Sequence, residues 1–97
     1  MVQVRTTSKI HVERPDAKRL RQLNVERWPI WTKEPSTFDW RYDDRETCYF
    51  LEGQVTVTTA QGEVTFGAGD LVTFPKGLDC TWHVKQAVRK HYRFGST

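Results

Sequence analysis

Lys90 is the residue of this 97-residue sequence whose placement most directly suggests chemistry. Across 88–94, period-two alternation puts Val88, Tyr92 and Phe94 on one strand face and Arg89, His91 and Arg93 on the other. Lys90 falls on the apolar face, where an ammonium is costly to bury without a partner acid. Cys80 shares an apolar face with Trp82 and Val84, while Asp79, Thr81 and His83 look outward. A nucleophilic thiolate at Cys80 requires Lys90 or an arginine beside it; packing as a small hydrophobe is the favoured reading. Cys48 reads the same way, with more weight on packing. Phe38, Trp40 and Tyr42 alternate with Asp39 and Arg41, so an aromatic face points inward, with Trp40 and Tyr42 either walling a planar ligand or filling the interior. His11, His83 and His91 are expected to be exposed polar residues. The two cysteines show no CxxC spacing, and no structural zinc ribbon is expected.

The elements that would position these side chains are short strands. From Phe38 onward, turn signals recur at Asp43-Asp44, Glu52-Gly53, Gln61-Gly62, Gly67–Asp70 and Pro75–Gly77, with Val-, Thr-, Phe- and Tyr-rich segments between them. That spacing predicts a sandwich or barrel. In the N-terminal quarter, residues 2–5 and 9–13 read as short strands. Residues 17–23 read as a helix of two turns, capped by Asp16, with Leu20 and Leu23 on one face. The predicted organisation is one domain over 1–97, an arm at 1–27 followed by a barrel at 28–94.

Six residues separate Glu46 from Gly53, and a second stretch reads Gly69-Asp-Leu-Val-Thr-Phe-Pro75-Lys-Gly77 with Cys80 following after two residues. These resemble the two motifs of the cupin superfamily: His-x-His, three or four residues, Glu, six residues, Gly; then Gly, five residues, Pro-x-Gly, two residues, His, three residues, Asn. With Trp28-Pro-Ile-Trp31, Phe38-Asp-Trp40, Cys80-Thr-Trp82 and Val88–Tyr92 in the same order, the chain resembles small single-domain cupins related to the cupin domain of (S)-ureidoglycine aminohydrolase. The resemblance implies an all-β double-stranded helix, or jelly roll, with a short N-terminal helix.

It also implies a site. Trp40 and Tyr42 stand at the His-x-His positions, Cys80 at the second-motif histidine and Val84 at the asparagine, leaving Glu46 alone of the usual ligand set. The expectation is therefore no metal, with manganese or zinc on Glu46, Cys80 and Tyr42 as the less favoured alternative. Glu46 is read as general acid/base or, equally, as the structural partner of Lys90; Lys90 is read as an electrostatic clamp. Trp40, Tyr42, Cys80 and Trp82 are the expected pocket residues. The expected function is binding of a small polar or anionic metabolite inside the barrel. One alternative is C–N hydrolysis of a ureido or amino-acid derivative; a weaker one is an oligonucleotide-binding barrel using Trp28, Trp31 and the basic arm.

Charge and composition narrow the partners. The chain carries 15 Lys and Arg against 12 Asp and Glu. Residues 1–27 hold seven basic against three acidic side chains, and the remainder eight against nine. A near-neutral body does not suggest a nucleic-acid partner. The longest strongly apolar run, Cys48–Leu51, is far short of the roughly 20 residues a helical span needs, so no membrane partner is expected. With no apolar leader and only two cysteines, a reduced cytoplasmic setting is expected. A homodimer is expected, with the Trp28–Trp31 segment offering apolar contact area.

Overall fold

The computed structural model describes residues 4–7 and 9–95. In chain order the elements are β1 (Val4–Thr7), β2 (Ile10–Glu13), α1 (Ala17–Leu23), a 3-10 turn (Val25–Arg27), β3 (Ile30–Lys33), β4 (Ser36–Arg41), β5 (Glu46–Thr59), β6 (Gly62–Gly67), β7 (Leu71–Phe74) and β8 (Asp79–Phe94). The expected strand at 2–5 is observed from Val4; Val2 and Gln3 lie outside the described residues. The helix forms where alternation ceases. Asp16 accepts a bond from the Arg19 N–H at 2.9 Å, and Asn24, in the left-handed region at φ 56°, ends it.

All strand pairs are antiparallel, in the order β1-β2-β7-β5-β8-β3, with β4 added to β8 and β6 to β5. Two long strands, of 14 and 16 residues, bind the layers together. The first half of β5 pairs with β7 and the second with β6, while β8 passes from β4 to β3. Both therefore bend sharply.

Glu52-Gly53 is not the turn its sequence suggests. β5 runs through it, and the register with β8 shifts on both sides of Gly53. Gly53 has φ 103°, and a Cβ there would lie 2.6 Å from the Ala87 carbonyl oxygen. The glycine marks a bulge in a continuous strand.

The main core fills the barrel with side chains from alternate positions of these strands, among them Val12, Phe50, Val57, Val72 and Phe74. Its aromatic rings interlock: Tyr42 stacks on Phe74 at 4.8 Å, and Phe50 tilts against Phe66 at 5.0 Å. A second, smaller cluster of Val25, Trp28 and Leu71 lies outside the barrel beneath α1, where Leu20 and Leu23 share the expected inner face.

Candidate functional site

β5 begins at Glu46 and β8 passes beside it, so alternation aims Glu46, Cys48, Lys90 and Trp82 at the same interior. Lys90 is 4% exposed and Glu46 5%. The Lys90 ammonium donates to Glu46 Oε2 at 3.2 Å and to Cys48 Sγ at 3.7 Å. Its charge also lies over the rings of Trp82 at 4.7 Å, Trp31 at 4.8 Å and Phe50 at 5.8 Å. Removing one member of such a pair strands the other charge in a poorly solvated interior, at a cost of about 3–5 kcal/mol.

The pair floors a cavity of about 240 Å³. Trp31, Phe38, Trp82 and Tyr92 form its walls, with Tyr42 beside Glu46 at the base. Trp40 and Phe94, each 49% exposed, stand at the rim. Trp40 is thus on the inward-facing side of β4 yet half in solvent, because the strand has run to the open end of the barrel. Burial raises the Tyr42 phenol well above its usual range, and the Glu46 carboxylate raises it further, so Tyr42 remains a hydrogen-bond donor. Trp82 brings a buried indole N–H that has no hydrogen-bond partner among the described residues. It lies near enough to the Cys80 sulfur to ease that thiol's ionisation, but without hydrogen-bonding geometry.

Of the residues expected in the site, Glu46, Lys90, Trp40, Tyr42 and Trp82 meet in this cavity and Cys80 does not line it. Cys80 Sγ faces the Trp40 carbonyl at 3.6 Å, and burial pushes its thiol up to about 11. The cation considered for Cys80 lies instead beside Cys48, whose thiol burial raises in spite of Lys90. Neither sulfur is a thiolate near neutrality.

Trp31, Phe38, Tyr92 and Phe94 were not assigned to the site from sequence. Alternation marked three of them as apolar-facing. Trp31 enters because β3 pairs it directly with Lys90, a non-local register that no local pattern carries.

Trp28 is no stacking platform: it is buried in the second cluster with the Arg93 guanidinium 4.5 Å from its ring centroid. Trp31 faces the cavity, which leaves Ile30, 43% exposed, as the large apolar side chain this segment offers outward. His91 is not simply exposed either. It is half-buried, with Nδ1 2.9 Å from the Trp28 carbonyl, where it ties the second cluster to β8.

The EutQ-like cupin domain profile matches residues 20–92. This chain belongs to the EutQ-like cupin family. A DUF861-family protein of Thermotoga maritima is 52% identical, with a TM-score of 0.85, and the match covers 96% of this cupin and 100% of that chain. The EutQ protein of Clostridium difficile is 18% identical, with a TM-score of 0.62 over 96% of this cupin and 64% of its own length. A putative ethanolamine utilization protein Q of Salmonella typhimurium gives the same identity and TM-score over 66% of its length. At such identities the two EutQ structures show the fold alone. No curated protein matches this cupin significantly, and its described residues contain no helix long and apolar enough to cross a membrane.

Proposed function

We propose that this cupin binds a small, flat, neutral molecule whose polar end carries both a hydrogen-bond donor and an acceptor, as an amide or ureido group does. The buried Glu46–Lys90 pair at the base of an aromatic-walled cavity carries this reading. A carboxylate ligand would gain Lys90 but meet the Glu46 charge beside it. An amide instead gives its carbonyl to Lys90, which has a third N–H, and its N–H to Glu46. The rings supply apolar contact for the rest of the molecule.

A resident divalent metal is not part of the proposal. Among the described residues no three His, Cys, Asp or Glu side chains come together to hold one. Glu46 is already neutralised by an ammonium at 3.2 Å, and Tyr42 and Cys80 keep their protons. That donor set fits manganese or zinc poorly.

Hydrolysis of a ureido C–N bond is the catalytic alternative, with Glu46 activating water and Lys90 facing the developing oxyanion. A thermal-shift panel of small amides, ureas, shape-matched carboxylates and manganese or zinc salts separates the cases, with quenching of Trp31, Trp40 and Trp82 fluorescence as a second readout. Amides and ureas are expected to raise the Tm of the wild type and not of Glu46→Gln. Stabilisation by carboxylates or metal alone would sink the binding proposal, and ammonia release lost in Glu46→Gln would make the site catalytic. We further propose a reducing, cytoplasmic setting, which suits two buried free thiols. We also propose a homodimer through the β3 edge, which pairs only with β8 among the described residues; sedimentation of wild type and an Ile30→Lys variant tests it.

A further inference from the structure

On the opposite face of β5 from the cavity, the register lays out two rows of outward side chains. Glu13, Leu71, Tyr49 and His91 form one row across β2, β7, β5 and β8, and α1 packs over it. His11, Thr73, Thr47 and Arg93 form the next row. This second row floors an open groove of about 620 Å³.

Lys9, Arg19, Arg45 and Lys76 join Arg93 around that floor. They come from the β1–β2 turn, α1, the β4–β5 loop and the β7–β8 turn, so the fold gathers cations that the sequence scatters. Among the described residues Glu13 is the one carboxylate lining the groove, and it is engaged by Arg19 at 3.0 Å. Among the described residues Lys9, Arg45, Lys76 and Arg93 form no ion pair. Two of the cations are held in place: Arg19 by its several bonds to Glu13, Arg93 by the Trp28 ring. Preset guanidiniums above two threonine hydroxyls form an acceptor-hungry surface with a large unbalanced positive charge.

We propose that this groove binds a compact phosphate polyanion of the tripolyphosphate type, independently of the barrel cavity. A single carboxylate would leave most of the cations unbalanced. A nucleic-acid strand is disfavoured because, among the described residues, no Trp, Tyr or Phe lines the groove to stack a base, and α1 closes one side of the shelf.

The test is calorimetric titration of the full chain with sodium tripolyphosphate, alongside ATP and a single-stranded oligonucleotide. Saturable one-to-one binding is expected, weakening steeply between about 50 and 200 mM salt. Arg45→Ser with Lys76→Ser is expected to weaken it at least about tenfold, and Thr47→Val about threefold. Lys85→Ser, an exposed cation outside the groove, is expected to leave it unchanged. Absence of saturable binding at low salt, or equal weakening by Lys85→Ser, would overturn the proposal. Tighter binding of the oligonucleotide than of tripolyphosphate would overturn the compact ligand. ATP binding as tight as tripolyphosphate supports recognition through the phosphates alone. None of these readings uses the Glu46–Lys90 pair, so the groove and the cavity fail or stand separately.

Discussion

Glu46 and Thr47 are neighbours on β5, yet they serve environments that differ in almost every physical respect. Glu46 faces a dry interior where one cation meets one anion among aromatic rings. Thr47 faces a wet shelf where cations outnumber carboxylates among the described residues. On the inner side each charge is balanced locally because water cannot help, and geometry at the scale of one hydrogen bond decides what fits. On the outer side water carries much of the solvation, so charges of one sign coexist until a counter-charge arrives.

That contrast can be broken most forcefully at Lys90. Lys90→Met leaves Glu46 buried without its cation and is expected to cost about 3–5 kcal/mol in urea denaturation. Pairing it with Glu46→Leu should recover most of the loss; no recovery would mean that the pair is not the origin of the cost. Gly53→Ala attacks the bend common to both faces. Its left-handed φ and the nearby Ala87 carbonyl predict a loss of about 1–3 kcal/mol, measured the same way.

A smaller effect comes with alkali. The Cys80 thiol has its folded pKa raised by burial from 9.0 to about 11, and burial raises Cys48 as well. A raised folded pKa contributes stability that is complete below the unfolded value and lost as pH climbs through the folded one. Stability should therefore fall between about pH 9 and 11, less so in Cys80→Ala, and the native thiols should resist alkylation at neutral pH. The smallest effect belongs to the shelf: Arg45→Ser should change folding stability by less than about 0.5 kcal/mol, since the side chain is exposed and forms no ion pair among the described residues. A loss as large as that of Lys90→Met would erase the distinction between the two faces.

Local pattern reached most of the inner side. Alternation put Lys90 among apolar residues, the motif spacing pointed to Glu46, and Asp16 announced the helix. It did not reach Trp31, whose place opposite Lys90 depends on a pairing between strands nearly sixty residues apart in the chain. It misread Gly53, because a glycine that ends a strand and one that bulges it look alike until the partner strand is known. The shelf was hidden for a related reason. Charge counted along the chain gave a basic arm and a near-neutral body, whereas Arg45, Lys76 and Arg93 of the body meet Lys9 and Arg19 of the arm only after β2 pairs with β7.

The bulge at Gly53 has a consequence for fidelity. If β5 slipped by one residue, every side chain of its first half would change sides. Thr47 would then face Lys90, and the Glu46 carboxylate would land among the cations of the shelf. One error of alignment would abolish both surfaces at once, and the fixed kink at Gly53 is the peg that holds the strand in its notch.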